Sequence, residues 1–140
     1  MPVLPAQRVL VPVDFSERSW EALSVGRDVV SPGGQLLALY VVPVDDLGDP
    51  WIPRREVITQ ELRARLAERG FADVPLQVCY GDPGSQIAEF ASREQVGLIV
   101  IPSRGHRGIV RLLLGSVTER VIRLAHCPVL VLHDKDESYS

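Results

Sequence analysis

The sequence predicts a doubly wound, mostly parallel α/β sandwich. Three observations predict it. Short β-branched apolar runs alternate with amphipathic helical stretches; the runs carry little polar alternation, as strands buried on both faces do; and the breaks fall at clusters of Pro, Gly and Asp. Five such strands and four helices wind right-handed, and the strand orders 3-2-1-4-5 and 2-1-3-4-5 both satisfy the pattern. At 140 residues the chain has the length of one domain, residues 1–140, with no internal repeat or low-complexity segment.

The elements follow in order. Arg8-Val-Leu-Val-Pro-Val13 is the first strand, and Glu17 to Val30 the first helix, with Trp20, Leu23 and Val30 at helical spacing behind Ser16 as a candidate cap. Ser31-Pro-Gly-Gly34 breaks that helix, and Gln35 to Val42 is an uninterrupted apolar strand. Residues 43 to 53, rich in Pro, Asp and Gly, form a loop. Arg54 to Arg69 form a helix with Val57, Ile58, Leu62 and Leu66 on one face, stopped by Gly70. Val74 to Cys79 is the third strand. Gly81-Asp-Pro-Gly84 then turns the chain, with Asp82 as N-cap and Pro83 at the first helical position, into a helix carrying Ile87, Phe90 and Ala91. Gly97 to Ile101 is the fourth strand, Ser116 to Ala125 a helix with Val117, Val121 and Ile122 inward, and Pro128 to Leu132 the fifth strand.

Composition narrows the function. A formal charge of -3 and no long basic stripe disfavour nucleic-acid binding, whose affinity comes mainly from neutralised phosphates. Two cysteines without CxxC spacing and three scattered histidines offer no metal site or disulfide framework, and no stretch approaches the ~20 apolar residues that span a membrane. The expectation is a cytoplasmic protein.

Against this acidic background, Ile101 to Ser116 stands out. It joins a strand to a helix through glycines, with Arg104, Arg107 and Arg111 concentrated between them. Glycines let the main chain approach a ligand, and the free N–H groups of a following helix attract an anion. In the order 3-2-1-4-5 the winding reverses between the first and fourth strands, so Val11-Pro-Val-Asp14 and Ile101-Pro-Ser-Arg-Gly105 meet at one crevice. Asp14 there faces a ligand hydroxyl or caps the first helix in place of Ser16. Ser116 caps the last helix, and Ser116 with Glu119 fits a capping box.

The residues Val11-Pro-Val-Asp-Phe-Ser16, Gly81-Asp-Pro through Ile87, Leu98 to Ile101, Gly115-Ser-Val-Thr-Glu-Arg-Val121 and Cys127-Pro-Val-Leu-Val131 resemble the universal stress protein family over nearly the whole chain. The resemblance implies an adenine nucleotide alpha hydrolase-like fold of order 3-2-1-4-5, binding of ATP or a related adenine nucleotide as a stress-response module, and a homodimer through the fifth strand, Val129 to Leu132. That strand also reads as an apolar edge that invites pairing. By resemblance the adenine lies near Pro12, Val13 and the backbone at Val41, with Asp14 near the adenosine. Arg104 and Gly105, beyond Ile101, then hold ribose and phosphates together with Gly115, Ser116 and Val117, and Mg²⁺ arrives with ATP. ATP-binding members carry G-x2-G-x9-G-[S/T]. Gly105 and Gly115-Ser116 match its second half, but Pro102 stands where the first glycine belongs, and proline has no N–H to donate.

Two other classes compete. A nucleotide-free dimer acting through protein partners, its phosphate loop degenerated at Pro102, accounts for the same sequence. An enzyme or phosphoacceptor is disfavoured: neither G-x-G-x-x-G after the first strand nor a P-loop occurs, and the first strand ends in a lone Asp14 instead of a receiver's acidic pair. No general base aims at a γ-phosphate, so hydrolysis is expected to be slow at most.

Overall fold

The computed structural model describes residues 4–44, 54–103 and 114–133. Their elements run β1 (Ala6–Pro12), α1 (Glu17–Val29), β2 (Val30–Pro43), α2 (Arg55–Glu68), β3 (Leu76–Gly81), α3 (Pro83–Arg93), β4 (Leu98–Pro102), α4 (Ser116–Leu124) and β5 (Val129–Leu132). The sheet has the order β3-β2-β1-β4-β5 with every neighbouring pair parallel. Of the two orders the pattern admitted, this is 3-2-1-4-5.

Alternation along each central strand divides the core. Val9, Val11, Ala38, Leu98 and Val100 face Trp20 and Leu23 of α1 and Leu66 of α2. Leu10, Leu37, Leu39, Ile99 and Ile101 face Ile87 and Phe90 of α3 and Val121 of α4. Both faces are therefore dry, which is why these strands read as continuous apolar runs. Among the described residues no helix is long and apolar enough to cross a membrane.

Four local expectations are corrected. Ser31 to Gly34 does not lie between helix and strand but inside β2: Ala6 pairs with Val30 and Arg8 with Gln35, so a step of two residues on β1 meets five on β2. The glycines make that bulge possible. Gly33 has φ +78°, and a Cβ on Gly34 would stand 2.6 Å from the Gln7 carbonyl oxygen. Val57 and Ile122 point outward, each 45% exposed, because the inner stripes are narrower than predicted: Ile58, Leu62 and Leu66 on α2, Thr118 and Val121 on α4. The third strand begins at Leu76; Val74 is buried ahead of it in a turn closed by its N–H on the Phe71 carbonyl. Finally, Gly115 rather than Ser116 occupies the N-cap of α4, with Ser116 the first helical residue. The predicted start of α3 does form: Asp82 accepts from the Ser85 N–H at 3.0 Å, with Pro83 next.

Candidate functional site

The winding reverses between β1 and β4, and their pairing stops at Leu10 and Ile99, short of both carboxyl ends. An open crevice of about 740 Å³ lies over them. That volume falls within the roughly 300–1,000 Å³ of small-molecule sites. Its walls are mostly apolar, from Val13, Val41, Ile87 and Ile101, and one carboxylate, Asp14, enters it. Eight residues expected from the sequence converge on this crevice: Pro12, Val13, Asp14, Val41, Ile101, Gly115, Ser116 and Val117. Arg104 and Gly105, like Arg107 and Arg111, lie outside the described residues, as does most of the loop after β2.

Backbone geometry explains how each wall is placed. β1 ends opposite Leu39, and the Val13 N–H makes the last bond to β2, onto the Leu39 carbonyl at 2.8 Å. Val41, two residues on, presents its main chain on the same side of β2 with no β1 residue in register opposite it. This leaves a strand edge facing the crevice. On the other side the Ser103 N–H bonds the Leu132 carbonyl at 2.8 Å, and the Ser103 carbonyl accepts the Gly115 N–H at 2.7 Å. The segment between β4 and α4 is thus pinned at its two ends, and the start of α4 is aimed at the crevice.

Asp14 is held by its neighbours. Its Oδ1 accepts the Ser16 N–H at 2.7 Å and the hydroxyls of Ser16 and Ser19, so the turn into α1 is built on this carboxylate. Of the two readings of Asp14, cap or ligand group, it does not cap α1: Ser16 occupies the N-cap position, and its own side chain makes no capping bond. Tyr40 lines the same corner, edge-on to Phe15 with ring centroids 5.6 Å apart. Burial pushes its phenol up, and the Asp14 charge adds to this, so it stays protonated at neutral pH.

Three buried polar residues at or beside this site were not singled out by the sequence, two in its lining, Ser19 and Thr118, and one next to lining residue Pro102, Ser103. Thr118 donates to the Pro102 carbonyl at 2.7 Å. The signal available for two of them was a hydroxyl on the apolar stripe of its helix, Ser19 in line with Ala22, Leu23 and Gly26, and Thr118 in line with Val121. Among the described residues no group of three or more His, Cys, Asp or Glu could hold a metal ion. Cys79 and Cys127 are free and half-buried, and burial pushes both thiols up.

Fold and site together define a doubly wound α/β protein with a small-molecule crevice at its topological switch point. Residues 5–133 match the model of the universal stress protein family, and the chain belongs to that family. It is 33% identical to universal stress protein MJ0531 of Methanocaldococcus jannaschii over 90% of this chain and 81% of that one. The solved structure of MJ0577 from the same organism superposes with a TM-score of 0.72 at 28% identity, covering 93% and 97% of the two chains. A universal stress protein solved in complex with cAMP shares the fold, with a TM-score of 0.65 at 24% identity over 91% and 97%.

Proposed function

We propose that this chain binds an adenine nucleotide, foremost ATP with Mg²⁺, in the crevice between β1 and β4, and acts as a cytoplasmic stress-response module read out through its bound state. The observation that carries this reading is the convergence at one switch-point crevice of an apolar wall, an unpaired strand edge and a helix start. The edge at Val41 offers main-chain donor and acceptor groups to a planar base between Val13 and Ile101. Asp14 reaches a ligand hydroxyl, and Gly115, Ser116 and Val117 at the start of α4 face phosphates; the family resemblance assigns Arg104 and Gly105, outside the described residues, to the same phosphates. Mg²⁺ suits this arrangement as an ion carried by the triphosphate, since the described lining supplies a single carboxylate. The complex of a protein of this fold with cAMP supports the fold's capacity for an adenine ring and a phosphate. Titration calorimetry of nucleotide-stripped protein with Mg-ATP tests the proposal: micromolar binding supports it, and absence of saturation at millimolar ligand overturns it.

Pro102 supports a second reading, a nucleotide-free dimer acting through protein partners. Its position lacks an N–H, and its carbonyl is already engaged by Thr118. Pro102→Gly separates the two. A large gain in ATP affinity marks a degenerated pocket, whereas wild-type binding that the substitution leaves unchanged marks a proline that the site accommodates.

A further inference from the structure

We infer that Ser19 is a positioning residue for the crevice, the group that fixes how Asp14 presents its carboxylate to a ligand. This inference rests on the nucleotide-binding reading for its functional consequence. The geometry itself stands without a ligand. Ser19 sits in the first turn of α1 with 2% of its surface exposed, and it is among the residues that line the crevice. That hydroxyl is used in both directions. It accepts the Asp14 N–H at 2.7 Å, and its own proton is shared between the Asp14 carbonyl oxygen and Oδ1, each at 3.0 Å. One buried side chain therefore holds the main chain and the side chain of the same residue.

The consequence for Asp14 is directional. The Ser16 N–H and hydroxyl and the Ser19 hydroxyl all reach the Asp14 side chain at Oδ1, and among the described residues no donor is placed on Oδ2. A carboxylate anchored through one oxygen has its rotation about χ2 fixed, and its other oxygen stays available as an acceptor. A ligand hydroxyl then meets an acceptor whose rotamer entropy is already lost, which is where preorganisation gains affinity. Ser16 alone does not supply this. Its N–H bond spans two residues within the turn, whereas Ser19 ties the turn to the helix body, which is packed on the sheet through Trp20, Ala22 and Leu23. A hydroxyl at this depth in an otherwise apolar stripe also has a desolvation cost that its three contacts with Asp14 offset.

The test compares wild type, Ser19→Ala, Ser19→Thr, Asp14→Ala and the Asp14→Ala/Ser19→Ala double variant. Two readouts are taken: amide hydrogen exchange at Asp14 in ligand-free protein, and calorimetric titration with Mg-ATP. Ser19→Ala is expected to lose protection at the Asp14 amide and to bind about tenfold more weakly. Ser19→Thr, which keeps the hydroxyl, is expected to restore both. The double variant is expected to bind no more weakly than Asp14→Ala alone, since Ser19 acts only through that carboxylate. Additive losses in the double variant, or unaltered Asp14 protection in Ser19→Ala, overturn the inference. If wild type itself binds no nucleotide, the functional reading fails, and the exchange data alone then decide whether Ser19 holds Asp14.

Discussion

Thr118 is a single hydroxyl on which two elements depend. It lies in the first turn of α4, and its bond to the Pro102 carbonyl joins the end of β4 to the beginning of the helix that faces the crevice. Thr118→Val keeps the shape and removes the donor, leaving the Pro102 carbonyl without it in a largely buried place. A loss of about 1.5 kcal/mol is expected in urea unfolding, together with weaker nucleotide binding as the start of α4 loosens. An unchanged unfolding midpoint would show that water replaces the bond. Residues of this kind were the least legible in the sequence. Val13 and Ile101 follow from strand ends once the order 3-2-1-4-5 is granted, and Val41 from the family resemblance, but a hydroxyl on an inner helical stripe reads only as a gap in the apolar periodicity. Its partner is a carbonyl far away in the chain, and no local spacing announces it. Asp14 was legible as a residue at the end of a strand, while whether it caps α1 required the bonds it makes.

Between elements near the site, α3 and α4 approach closely. A Cβ on Gly84 would come 2.6 Å from the Arg120 Cβ, so the start of α3 lies directly against α4. Asp82 binds this crossing from the other side, capping α3 through the Ser85 N–H and pairing with Arg120 Nε at 2.9 Å. Both Asp82 and Arg120 are more than half exposed, so the ion pair itself contributes little and the cap carries most of the stabilisation. Ser85, through its hydroxyl and its N–H, and then Arg120 hold the Asp82 carboxyl below the usual carboxylate range. A depressed folded pKa means that the unfolded chain takes up the proton first. The stabilisation is therefore full above the ordinary carboxylate value near pH 4 and is lost as pH falls through the lower folded value. Asp82→Ala is expected to cost about 1 kcal/mol at pH 7, with a Tm about 3 °C lower, and this difference from wild type should shrink toward pH 2. A difference independent of pH in calorimetric scans would assign the cost to packing instead. At this scale the sequence was most readable: Asp82-Pro83 carries the chemistry of a helix start in adjacent residues. The β2 bulge was less so, since Pro-Gly-Gly marks a break without saying whether the chain leaves the sheet or only shifts register.

For the molecule as a whole, alternating strands and helices were legible because the two periodicities differ, while strand order was not, because both doubly wound orders use the same alternation. The order has one consequence beyond the crevice. Among the described residues it leaves β5 at an edge, bonded to β4 on one side only. The Ile99 and Ser103 N–H groups bond the carbonyls of Pro128 and Leu132, so the even-numbered residues of β5 turn their main chain toward β4. Val129 and Val131 therefore turn theirs outward, in a strand whose four residues, Val-Leu-Val-Leu, are all partly exposed and apolar. An edge of this composition is a template for another strand, and we propose that a second copy of the chain occupies it, giving the homodimer. On α4, whose Val121 shares a core cluster with Val129 and Val131, Ile122 and Leu124 are also exposed. Val131→Pro is the informative substitution, because it deletes an outward N–H and none of the donors or acceptors of the β4–β5 ladder. Light scattering is expected to give twice the monomer mass for wild type and the monomer mass for Val131→Pro, with the far-ultraviolet circular dichroism of the two alike. A wild-type monomer across the micromolar range, or a Val131→Pro protein that remains dimeric, would remove β5 as the interface.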